Sequence, residues 1–215
     1  MSRPARTTAP DRLHVRSCRA GTSLARRAVA VGLALIAALA LGACGDSHTR
    51  VTTGTYAGEA GDAAPYLNVG PLVYEVQISR ELNPANVEDA AFLQGVAPAQ
   101  RKLNPGEEWF GVFMQVYNQT STPHLAATNI TITDTEHNLY APLALDQTND
   151  FAYRGGLVPA HSRVPAPSTV AANSSTQGAL LLYKIQVVSL DNRPWTIHIV
   201  DPSDASRTAS ATLDV

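Results

Sequence analysis

Cys44 carries the most pointed chemistry in this sequence: it closes the apolar run "AVAVGLALIAALALGA" at 28–43 and is the second of only two thiols. A thiolate is the strongest side-chain nucleophile near neutral pH and can be alkylated to a thioether. Arg3, Arg6, Arg12, Arg16, Arg19, Arg26 and Arg27 precede the run with one acid, Asp11. A basic stretch followed by grease is the order of a secretory signal. The run is Ala-rich and 16 residues long, short of the roughly 20 apolar residues that a spanning helix needs. An uncleaved anchor and ordinary cleavage after Ala40 are the alternatives, and the second leaves Cys44 unexplained. Arg26-Arg27 lacks the flanking residues of a twin-arginine signal, so the export route stays open.

The other reactive side chains are scattered. His48, His124, His137, His161 and His198 show no metal or triad spacing, and neither Gly-x-Ser-x-Gly, His-Glu-x-x-His nor a phosphate loop occurs. His198 alternates with Ile197 and Ile199 and therefore faces away from them. Soft metals require sulfur ligands. Met114, the one methionine beyond the first residue, shares a strand face with Val112 and Val116 and reads as core. Asp134, Glu136 and Asn138 stand at alternate positions in "DTEHN", which can begin a calcium loop or form a solvated hairpin tip. Without a turn glycine or a closing acid, the hairpin is the expectation. No cofactor, metal site or catalytic residue is predicted, and the protein is not expected to be an enzyme.

Cleavage before Cys44 would remove 7 of 16 basic residues and 1 of 18 acids, leaving nine against seventeen and a net charge of −8. Such a surface repels phosphate, so nucleic acid is not an expected partner. Cys18 leaves with the signal. The folded part must then close without a disulfide.

The elements that hold these residues are strands. Residues 45–65 are rich in Gly, Ala, Thr and Asp without hydrophobic period, which reads, with Cys44, as a flexible linker over 44–65. Residues 66–215 are enough for one domain with a real core. "LVYEVQI" alternates, placing Leu72, Tyr74, Val76 and Ile78 on one face. "WFGVFMQVY" is apolar on both faces, as a central strand must be. "NITITD" and "LYAPL" flank a turn, Phe151 and Tyr153 alternate, and the proline-bearing segment 157–167 reads as a connection. "GALLLYKIQVV", "WTIHIV" and "ASATLDV" complete seven or eight strands, the last at an edge. Asn86 as N-cap, Glu88 and Asp89 in the first turn and Gly95 as stop mark one short helix. The expectation is an all-β, immunoglobulin-like two-sheet sandwich anchored by Trp109, Phe110, Phe113 and Tyr183.

Leu41, Gly42 and Ala43 before Cys44 resemble the lipobox of bacterial prolipoproteins, in which the cysteine accepts a diacylglycerol. Together with the linker, "YLNVGPLVYEVQI", "WFGVFMQVYN", "TITDTEHNLY" and "GALLLYKI", the chain over 66–202 is similar to the telokin-like, immunoglobulin-type domain of bacterial surface lipoproteins. The resemblance implies a signal peptide over 1–43, cleavage between Ala43 and Cys44, lipid on Cys44 and a sandwich without catalytic residues. Two acyl chains, at about 0.8 kcal/mol per buried methylene, hold a protein to a bilayer permanently. The chain departs from the family in its 80–105 insertion, with "LNP" at both ends, and in its proline-rich connection. The resulting expectation is a non-catalytic binding or scaffolding module, lipid-anchored on the extracytoplasmic face of the cell membrane. It would meet an envelope protein through the 80–105 loop or the 157–173 connection. A small envelope hydrolase is the alternative.

Overall fold

Alternating large apolar and small polar side chains make this chain a set of strands, and the faces they bury decide its layers. The computed structural model describes residues 50–51, 53–55 and 66–213. The expected signal segment, Ala43, Cys44 and His48 lie outside the described residues.

Thirteen strands occur among the described residues: β1 (Arg50–Val51), β2 (Thr53–Thr55), β3 (Tyr66–Val69), β4 (Leu72–Leu82), β5 (Glu107–Asn118), β6 (His124–Ala126), β7 (Ile130–Thr133), β8 (Leu139–Tyr140), β9 (Gly156–Val158), β10 (Ser162–Val164), β11 (Ala179–Gln186), β12 (Trp195–Val200) and β13 (Thr208–Leu213). Seven have four or more residues. The excess over the expected seven or eight consists of pieces too short to show an alternation. The first sheet runs β1-β3-β4-β5-β10, with β11 also on β5; the second runs β2-β13-β12-β7-β8; β6 and β9 form a ribbon. The two larger sheets face each other as an all-β sandwich.

Between them lies the main core. Phe110, Val112, Met114 and Val116 of β5, Leu181, Tyr183 and Ile185 of β11, and Leu72, Tyr74 and Val76 of β4 meet Ile130, Ile132, Trp195, Ile197 and Ile199 of the second sheet. Trp195 stands edge-on to Phe110 at 5.0 Å and stacks on Tyr140 at 5.8 Å, while its indole N–H donates to the Ser189 carbonyl. Burying each such ring contributes about 2–3 kcal/mol. No thiol lies in this layer, so packing alone closes it.

The four predicted anchors are all buried, but they divide between two cores. Trp109 and Phe113 point out of the sandwich and pack with Leu82, Phe92, Val96, Leu180 and Leu182. The 80–105 insertion supplies Phe92 and Val96 and so becomes a lid over the outer face of the first sheet. Its helix, Val87–Phe92, begins where predicted: the Asn86 side chain accepts from the backbone N–H groups of Glu88 and Asp89. Arg80 donates to Asp89 Oδ1 at 2.6 Å and the Asn83 amide to Oδ2 at 2.8 Å, which ties the helix to β4. Central β5 is apolar on both faces because both faces are covered.

Five expectations need correction. Ile78 does not share a face with Tyr74 and Val76, because the β4–β5 register shifts between Val76 and Ile78. One extra residue inverts every side chain beyond it, which turns Ile78 and Leu82 toward the outer core. Within the stretch read as a linker, β1 pairs with β3 and β2 with β13; Val and Thr suit such pairing, and two open sheet edges offer it. The C-terminal strand is consequently flanked on both sides. The 157–167 connection contains β9 and β10, whose Pro159 and Pro165 fall just outside the paired residues. Residues 151–153 form no strand; their backbone exchanges hydrogen bonds with Leu180 and covers the free side of β11.

Candidate functional site

The outer face of the first sheet is apolar at one end and polar at the other, and each end carries a cleft. At the apolar end, two adjoining hollows of about 370 and 430 Å³ share Pro84, Leu103 and Trp109. Arg101 borders one; Glu81 and Glu108 border the other. Lys184 lies over the Trp109 ring, 5.2 Å from its centroid, and donates to the Lys102 carbonyl. Glu108 Oε1 is buried without a hydrogen-bond partner. Burial, and secondarily the charge of Glu81, raise the Glu108 pKa above the ordinary carboxylate value. A carboxylate in an aromatic hollow accepts a cation, or holds a proton for acid–base work.

At the polar end, a cleft of about 440 Å³ lies between the end of β5 and the β9–β10 loop, lined by Tyr117, Gln119, His161, Ser162, Arg163 and Pro167. The Tyr117 hydroxyl donates to Glu75 Oε2 at 2.8 Å and stands 3.0 Å from Gln115 Oε1. That same oxygen accepts from Arg163 Nη1 at 3.2 Å. Burial, with the hydrogen bond and charge of Glu75 behind it, pushes the Tyr117 pKa up, so Tyr117 stays a neutral donor. Tyr66 meets its ring edge-on at 5.9 Å.

Asn118 holds this cleft in shape. It is almost fully buried at 1 % exposure. Its amide donates to the carbonyls of Thr122, Val158 and Pro159, and its carbonyl accepts from the Thr120 N–H and hydroxyl. The turn after β5 and the loop before β10 are thus tied to one side chain. His161 has a left-handed φ of 51°, and its N–H donates to the Thr120 carbonyl. Asn at the end of "WFGVFMQVYN" is visible in sequence; its reach to residue 158 is not.

At the turn whose spacing can begin a calcium loop, the Asp134 oxygens already have donors. Asp134 Oδ1 accepts from the Glu136 and Asn138 backbone N–H groups, and Oδ2 accepts from the Asn138 side chain. Burial opposes its charge, but these donors outweigh burial and lower its pKa. Asp134 is therefore a turn cap, and Asn138 offers it an N–H rather than an oxygen to a metal. Met114 is fully buried in the main core. His124 contacts Thr122, His137 sits at the β7–β8 turn, His161 lines the polar cleft and His198 bonds Thr133 at 2.8 Å. The structure does not bring the histidines together. Among the described residues no group of three His, Cys, Asp or Glu could hold a metal, and no helix is long and apolar enough to cross a membrane.

The fold defines an all-β sandwich protein. No protein-family model matches the sequence, and no curated protein matches it. Several solved structures are similar to it. The yjhA protein of Bacillus subtilis has 12 % identity over 74 % of this chain and 100 % of its own, with a TM-score of 0.48. A β-sandwich protein of Clostridium difficile has 9 % identity over 78 % and 97 %, with a TM-score of 0.41. A candidate lipoprotein of Bacillus subtilis, ycdA, has 7 % identity over 70 % of this chain and 38 % of its own, with a TM-score of 0.41. At these identities the functional reading rests on this chain's own residues.

Proposed function

We propose that this protein is a non-catalytic binding module, tethered by lipid on Cys44 to the extracytoplasmic face of the cell membrane. The observation that carries the binding role is the polar cleft at the end of β5, a concave surface of convergent hydrogen-bonding groups on a rigid sheet. The anchor reading comes from the basic segment, the short apolar run and Cys44. The tether has less free length than a 44–65 linker would give, since β1 begins at Arg50.

Two measurements test the reading. Cys44→Ser is expected to release the protein from membranes or leave it as precursor; membrane-bound Cys44→Ser of mature size would defeat the anchor. The chain from Cys44, which retains β1 and β2, is then cross-linked in envelope membranes beside Arg163→Gln. A partner captured by the native chain and lost with Arg163→Gln supports the polar cleft, and equal capture refutes it. The hydrolase alternative draws on one feature, the buried Glu108 carboxyl in the apolar cleft, whose pKa burial raises, because a carboxyl that holds its proton can act as a general acid. Turnover of a glycoside or ester that Glu108→Gln abolishes would replace the binding reading.

A further inference from the structure

Among the described residues Arg163 is the one half-buried Arg or Lys without an acidic partner. It is half-buried in β10, and its guanidinium makes one hydrogen bond, to the neutral Gln115 side chain. Arg80, Lys184 and Arg207 each have an acidic partner within 4.0 Å; Arg163 has none among the described residues, and the others without one, Arg101, Lys102, Arg154 and Arg193, are exposed where Arg163 is half-buried. This occurs in a chain whose acids outnumber its bases after residue 43. The Glu75 carboxylate accepts from the Tyr117 hydroxyl rather than from Arg163. A planar fork with open N–H groups matches a carboxylate in shape as well as charge. A phosphate would call for further cations, and the cleft supplies one permanent charge.

The rest of the wall indicates what carries that carboxylate. His161 is exposed at the cleft wall, and its imidazole makes no hydrogen bond among the described residues. Tyr117 adds an aromatic wall, and the volume of about 440 Å³ lies within the range of small-molecule sites. Imidazole and aromatic ring beside one guanidinium fit a compact ring-shaped ligand that carries hydroxyls and one acid. We propose that this cleft binds an acidic saccharide, its carboxylate on Arg163, its ring against Tyr117 and a hydroxyl on His161. This deepens the binding-module reading and rests on it.

Saturation-transfer NMR on the full chain in detergent, with glucuronate, glucose and acetate as probes, tests the proposal. Glucuronate is expected to bind at least tenfold more tightly than glucose or acetate. Arg163→Gln should remove that preference, Arg163→Lys should restore part of it, and His161→Ala should weaken glucuronate without affecting acetate. Equal binding of glucose and glucuronate would overturn the role of Arg163, and equal binding of acetate would overturn the saccharide. Thermal unfolding checks that Arg163→Gln is folded. If it is not, raised salt applied to the native chain replaces it, and salt-insensitive glucuronate binding refutes the proposal. Failure here, with Arg163-dependent capture of an envelope partner intact, discards the saccharide alone; loss of both discards the binding module.

Discussion

Asn118→Ala is the sharpest test of how the polar cleft is built. The substitution removes an amide that serves three carbonyls and a carbonyl that takes two donors from Thr120. At about 1 kcal/mol net per hydrogen bond, with some recovery from water at the exposed Thr122, the loss is about 2–4 kcal/mol. For a domain of this size that lowers Tm by roughly 5–15 °C. Asn118→Asp is the informative companion. It keeps an acceptor for Thr120 but turns two oxygens toward a site where three carbonyls expect N–H groups. The folded protein therefore favours the protonated acid, and the pKa of the new group rises on folding. A group with a raised folded pKa stabilises below its unfolded pKa and loses that contribution as pH rises through the folded value. Asn118→Asp should be less stable than Asn118→Ala at pH 7, with the gap closing as pH falls. Urea unfolding at several pH values reads both effects. An Asn118→Ala protein within about 1 kcal/mol of the native one, or an Asp variant as stable as Asn at pH 7, would refute this account.

Phe92→Ala removes a ring that meets Phe113 at 4.8 Å and Phe151 at 4.7 Å; a loss of about 3–5 kcal/mol is expected, with limited proteolysis cutting first within 83–105. Gly178→Ala should destabilise more than Gly156→Ala in urea unfolding. Both have positive φ, but a Cβ at 178 falls 2.9 Å from the Met114 backbone nitrogen, whereas one at 156 meets nothing within 4 Å. Glu108→Gln should stabilise the protein at neutral pH and make no difference at low pH. Its raised pKa means that the ionised carboxyl opposes folding once pH exceeds the folded value; a pH series of Tm values on the two proteins checks the sign.

Much of the scaffold was legible because burial writes a period into the chain. The double-sided apolar run of β5, the alternation of β12 and the Asn86 cap each follow from neighbours a few residues apart. The pairing of 50–51 and 53–55 was not legible. The Thr and Gly composition there is that of a spacer, and only the open edges of β3 and β13, distant in sequence, give those residues partners. The lid was missed for the same reason: Phe92 lies on a short helix with no visible destination until Phe113 and Phe151 come together around it.

The candidate sites divide in the same way. Sequence by itself determined the all-β class, the chemistry available at Cys44, the lack of a second thiol in the folded part and the assignment of Met114 to the core. These depend on residue types and short-range order. Tertiary structure alone decided that a one-residue bulge turns Ile78 outward, that Asp134 caps its own turn, and that Gln115, Tyr117 and Arg163 share one cleft. The physical reason is that strand pairing joins residues 48 positions apart at hydrogen-bond distance, and no local pattern encodes which strands pair or which face a side chain has reached by then.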